Sequence, residues 1–172
     1  MRADDLRRLG RYTEWADRRA FEAARRLPAE AYGRDLRTGL GSVGATLAHI
    51  CAVEWLWGER LRGRSPAAYD HLARLATPAE LEPAWEEVWA GLRAAFDALD
   101  DARLEEALTY RTTEGELFTQ PAWQLALHIT HHSAYHRGQV AAALRHLGAE
   151  PLPTDLVLYF RSKEGAGTAG GA

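Results

Sequence analysis

Apolar residues recur along most of this chain at steps of three and four, the period of a helix with one buried face. In the first such run, Leu6, Leu9, Trp15, Phe21 and Ala24 keep that spacing or its multiples. They predict a helix capped at Asp4 or Asp5 and running to about Arg26. Leu27-Pro28 stops it, because proline pushes the residue before it away from helical dihedrals. A loop with Gly33, Gly39 and Gly41 leads to Ser42, whose hydroxyl suits an N-cap. The second helix then runs from Val43 to about Arg62, with Leu47, Ile50, Val53, Trp57 and Leu61 facing inward. Gly63 closes it, and residues 63–72 read as loop.

Thr77-Pro78 starts the third helix, with proline in the first helical position and Glu80 completing a capping box. Leu81, Trp85, Val88, Trp89, Leu92 and Phe96 carry it to about Leu99, and Pro83 in its first turns leaves room for a later start. Residues 105–119 break the helical period. β-branched and aromatic residues flank Thr113-Glu114-Gly115, the pattern of a small hairpin or extended loop. Gln120-Pro121 opens the last long helix, which runs to Leu147 and ends at Gly148, suited to a left-handed C-cap. Leu156 to Phe160 is apolar enough to pack back onto the body. The expected fold is all-α: a four-helix bundle with a small hairpin or extended loop before the last long helix. Residues 1–163 read as a single domain, and 164–172 as a disordered tail.

Composition narrows the function classes. The formal charge of -3 gives no electrostatic case for a nucleic-acid partner. Cys51 is the one cysteine, so an internal disulfide and a cysteine-based zinc knuckle are both excluded. It reads as a small buried residue, not a nucleophile. No segment approaches the roughly 20 apolar residues that span a bilayer. The N-terminus lacks the apolar stretch of a signal peptide, so a cytoplasmic protein with no membrane partner is expected. Trp55, Trp57, Trp85 and Trp89 read as core or interface packing in preference to an aromatic substrate pocket.

The histidines change the picture most. Of seven, four fall in nine residues: His128, His131, His132 and His136. On a helix His128, His132 and His136 share one face, and His131 points away, toward solvent or a partner subunit. Neighbours at i, i+4 stand about 5–6 Å apart at Cβ and can share an ion. His128 and His136 are separated by a rise of roughly 12 Å. Metal–nitrogen bonds of about 2.0–2.1 Å cannot bridge that gap. The helix therefore offers one pair, 128/132 or 132/136, and the third ligand comes from elsewhere. His49 supplies it, lying among Leu47, Ile50 and Val53, where an imidazole needs a polar partner or a metal. Three neutral imidazoles leave a coordination position open, the arrangement of a catalytic ion. No HEXXH motif is present to supply a metalloprotease base. His71 and His146 are assigned to the surface or to local hydrogen bonds. Glu54 is read as an acid behind the ligands or a solvated residue. Arg137 is read as an anchor to a neighbouring acid, Gly138 as a site of close helix packing, and Gln139 as a hydrogen-bonding group across the bundle.

The motifs resemble those of a known family. Thr46-Leu-Ala-His49-Ile is similar to a second-helix metal segment, and His132-Ser-Ala-Tyr-His136-Arg137-Gly138-Gln139 to an HxxxHRGQ signature. Tyr12-Thr-Glu-Trp15-Ala-Asp17 is similar to the matching first-helix motif. These are the marks of the DinB/YfiT-like superfamily, and the resemblance covers roughly residues 4 to 150. It implies a bundle with an unusual connection order, a homodimer, and a divalent ion (nickel, zinc or iron) on His49, His132 and His136. It moves His128 to the neighbourhood of the site, with Glu54, Arg137 and Gln139 as supporting or substrate-contacting candidates. It also implies a thiol-dependent transferase or isomerase using a bacillithiol- or mycothiol-like cofactor on a small electrophile. The competing expectations are a metal-assisted hydrolase and a non-catalytic metal-binding stress-response bundle.

Overall fold

The computed structural model describes residues 1–162; the predicted tail lies outside them. Four long helices form the body: α1 (Ala3–Ala24), α3 (Val43–Leu61), α5 (Pro78–Asp97) and α7 (Ala122–His146). Among the described residues three short ones sit in the connections, α2 (Ala29–Tyr32), α4 (Asp70–Ala73) and α6 (Asp101–Leu104), and a fourth, α8 (Leu156–Arg161), follows α7. Strands β1 (Ala107–Arg111) and β2 (Leu117–Pro121) form an antiparallel hairpin, with Thr109 opposite Thr119 and Tyr110 opposite Phe118. The all-α bundle with a hairpin before its last long helix is the fold the sequence specifies. Among the described residues no helix is long and apolar enough to cross a membrane.

Helix α3 packs against α7 and α5, and α1 packs against the same two; α1 and α3 barely meet. The helices that follow one another as α1 then α3, and as α5 then α7, are thus diagonal in the bundle. Residues 25–42 and 98–121 make those two crossings. Between the helices Leu6, Leu47, Ile50, Leu81, Trp85, Leu125, Ile129 and Leu144 are buried in one continuous core.

Local chemistry sets the helix ends. Ser42 Oγ accepts the Ala45 N–H at 3.0 Å. Thr77 Oγ1 accepts the Glu80 N–H at 3.3 Å while Glu80 Oε2 accepts the Thr77 N–H at 3.0 Å, closing the capping box. That box fixes the start of α5 at Pro78, so Pro83 does not delay it. The cap of α1 is Arg2, not Asp4 or Asp5. Asp5 instead sits three residues in and accepts the Arg2 N–H at 3.0 Å. Residues 63–72 are not all loop, because buried Leu72 anchors α4. Gly148 has φ +75°, the left-handed geometry expected after the last helix. On α8, Tyr159 is buried against Tyr12 and Trp15, while Val157, Leu158 and Phe160 stay exposed.

Candidate metal centre

The centre lies where α3 faces α7. α3 carries an almost unbroken apolar run, with Leu47, Ala48, Ile50 and Cys51 fully buried, and His49 is half-buried beside them. On α7 the inward stripe is Ile129, Ser133, Arg137, Val140 and Leu144. His132 and His136 stand on the flank of that stripe, turned toward His49. The ligand nitrogens of His49, His132 and His136 all lie within 4.8 Å of one another. The Nε2 atoms of His49 and His132 are 3.2 Å apart. Metal–nitrogen bonds of about 2.0–2.1 Å put tetrahedral ligand nitrogens roughly 3.4 Å apart. The three imidazoles fit one ion after small ring rotations.

Electrostatics favours lone pairs over protons here. Burial and the neighbouring imidazoles push His132 down to about 3. His49 is lowered by burial and by His136. Both rings are neutral at pH 7, the form that binds a cation. Buried His132 Nδ1 has no hydrogen-bond partner among the described residues. His136 Nδ1 faces Gln139 Oε1 at 2.8 Å, which leaves Nε2 for the cluster. Gln139 therefore steadies a ring on its own helix and does not reach across the bundle.

His128 is not one of the three converging ligands, although its ring lies against His132 with centroids 5.7 Å apart. Its ring packs on Trp57 with centroids 4.3 Å apart, and one side is open to solvent. His131 is exposed and bonds locally to the Leu127 carbonyl at 3.0 Å. His71 packs edge-on against Trp55, and His146 is exposed.

The supporting residues form one buried network. Arg137, 2% exposed, donates from Nη1 to Asp17 Oδ1 at 2.7 Å and from Nη2 to the Tyr12 hydroxyl at 3.3 Å. The first-helix motif and the HRGQ motif are thus two halves of one contact, and the acid that Arg137 anchors to is Asp17. Glu54 is neither solvated nor in hydrogen-bond contact with the histidines. It accepts the Trp85 indole N–H at 2.7 Å and the Ser133 hydroxyl at 2.7 Å, tying α3 to α5 and α7. Burial and the nearby Asp17 carboxylate raise its carboxyl well above the usual range. Burial also raises Asp17, opposed by the Arg137 guanidinium. Gly138 does not serve close packing: it is exposed, and a Cβ built there meets nothing within 4 Å. Sequence reasoning missed Ser133. Its signal was available, since two polar residues, Ser133 and Arg137, interrupt an apolar stripe at helical spacing.

A cavity of about 370 Å³ lies further along the α3–α7 seam; Thr46 and Gln139, the partner of His136, line it, and the three histidines themselves do not. Among known proteins, Protein DinB of Bacillus subtilis (strain 168) is 25% identical over 159 residues, covering 89% of this chain and 92% of that protein. The DinB family model matches residues 2–168. That span takes in all three clustered histidines and both halves of the Asp17–Arg137 contact, and the chain belongs to the DinB family.

Proposed function

We propose that the protein is a metal-dependent enzyme that holds one divalent ion on His49, His132 and His136. The observation that carries this reading is the convergence of three nitrogens from two helices, with no carboxylate among them, beside a cavity. When bound, the ion acts as a Lewis acid that lowers the pKa of a coordinated thiol or water. The chain's own residues do the positioning. Gln139 orients His136, Arg137 and Asp17 fix the turn of α7 that carries it, and Glu54 and Ser133 lock the turn at His132. Imidazole suits nickel, zinc and iron alike.

The finer reading is transfer or isomerisation of a small electrophile with a low-molecular-weight thiol, bacillithiol or mycothiol in type. Family membership and the adjoining cavity support it. The same reading makes the protein a homodimer, for which the exposed Val157, Leu158 and Phe160 offer apolar surface. Metal content by elemental mass spectrometry, on protein purified without chelator or nickel resin, is the deciding measurement. About one ion per chain is expected, falling below a tenth in His49→Ala and His132→Ala. Unchanged occupancy in His132→Ala overturns the site. Turnover is then assayed with each thiol and a chlorinated aromatic, and with esters. A metal-replete protein inert to all of these is the non-catalytic bundle instead, and ester cleavage without thiol is the hydrolase.

A further inference from the structure

We infer that the cavity beside the histidine cluster seats a neutral, largely apolar small molecule that turns a carbonyl- or nitro-type oxygen toward Gln139. The inference deepens the proposed function and rests on it, since this molecule is the electrophile on which the centre acts. At about 370 Å³ the cavity falls at the small end of the range for small-molecule sites, about 300–1,000 Å³. Its position ties it to the centre. Thr46 lies one helical turn before His49 on α3, and Gln139 lies one turn after His136 on α7.

Gln139 belongs to both places. Its Oε1 is taken by His136 Nδ1 at 2.8 Å, while its Nε2 has no hydrogen-bond partner among the described residues. A carboxamide so divided has two N–H donors left, which suit an acceptor oxygen and repel a cation. The walls are mixed: Leu36, Leu40, Ala142 and Ala143 are apolar, Thr38 adds a hydroxyl, and the Ser42 and Thr46 hydroxyls are already spent on the first turn of α3. Among the described residues no Asp, Glu, Lys or Arg lines the space, and exposed His146 is the one titratable side chain on it. A phosphate or carboxylate entering there would give up hydration without gaining a firm counter-charge. The loop facing Gln139 is held close by left-handed backbone at Arg37, Gly39 and Gly41, with φ of 53°, 54° and 91°. A Cβ at Gly39 would come 3.7 Å from the Gln139 carboxamide, so the shape is set by the loop as much as by the helices.

The test uses the full-length protein and two isosteric probes, the neutral ketone 4-nitroacetophenone and the anion 4-nitrobenzoate. Binding is followed by saturation-transfer NMR and by titration. Two variants alter the walls at exposed positions: Ala142→Trp fills the cavity and Leu40→Asp puts a charge in it. Saturable ketone binding is expected, with the anion at least tenfold weaker. At least one folded variant should weaken the ketone tenfold or more while metal content and far-UV circular dichroism match wild type. Ketone affinity unchanged in both variants, or an anion bound as tightly as the ketone, overturns the inference. A metal-free protein that still takes the ketone in this cavity overturns the proposed metal function and leaves the ligand class standing. A metal-replete protein that ignores the ketone overturns this inference alone.

Discussion

Replacing Asp17 by alanine removes the counter-charge of a buried guanidinium that stays protonated. Arg137 is 2% exposed and Asp17 fully buried, so water cannot take the place of the lost carboxylate. The Tyr12 hydroxyl at 3.3 Å is the remaining partner and carries no charge. Breaking a buried pair from one side costs about 3–5 kcal/mol, most of it the isolated ion. For a chain of this length 1 kcal/mol moves the melting temperature by about 2–4 °C, so Asp17→Ala should melt roughly 6–20 °C below wild type. Arg137 directly follows His136, so metal affinity should fall together with stability. The double variant Asp17→Ala/Arg137→Leu removes both charges, and replacing a buried pair by apolar groups is often neutral. It should regain more than half of the lost melting temperature. Differential scanning calorimetry of the wild type, both single variants and the double variant gives the coupling free energy. A melting temperature for Asp17→Ala within 2 °C of wild type, or additive single effects, would show that the pair does not hold α1 to α7.

Three further outcomes follow from the packing of the bundle. Glu54 holds its proton well above the ordinary carboxyl range, which starts near 4.5, so folded and unfolded states differ in protonation as pH rises from there. Below that value both states are protonated and the group contributes nothing. Above it the unfolded state releases the proton first, and stability is lost as pH climbs toward the folded pKa. Glu54→Gln, melted in chelator from pH 4 to 8, should therefore gain on wild type with rising pH; parallel curves count against this. His128→Ala should leave metal content at wild-type level, in contrast to His132→Ala, because His128 packs on Trp57 and its nitrogens lie outside the converging group of three. Thr77→Ala, which opens the α5 capping box, should cost about 1 kcal/mol in urea unfolding with the denaturant slope unchanged.

Much of this molecule is legible in its sequence because short-range chemistry decides it. The Thr77–Glu80 box, the Ser42 cap, Gly148 and the turn around Gly115 each act within a few residues, and each sits where its signal falls. The helical faces are legible for the same reason. What periodicity cannot convey is which face meets which. HxxxHxxxH defines a stripe on α7 but not the height at which α3 crosses it, and that height separates the 132/136 pair from 128/132. Glu54 misleads for a related cause. Its charge suggests solvent, yet its two partners, Trp85 and Ser133, lie 31 and 79 residues away, and only the packed bundle brings them to it. Gly138 misleads in the opposite sense, since a glycine beside a ligand suggests crowding and this one faces open space.

The diagonal order of the helices also bears on how the molecule holds together. His49 and His132 are separated by 83 residues, so closing that contact sets aside a long stretch of chain. Cross-linking a loop of that length removes on the order of 4 kcal/mol of entropy from the unfolded ensemble. A chain whose single cysteine is buried has no covalent staple with which to do this. An ion on the three histidines would be that staple, joining the first half of the bundle to its last long helix. Chelation should then speed unfolding as well as lower the midpoint, to the extent that the α3–α7 seam is the last contact to close.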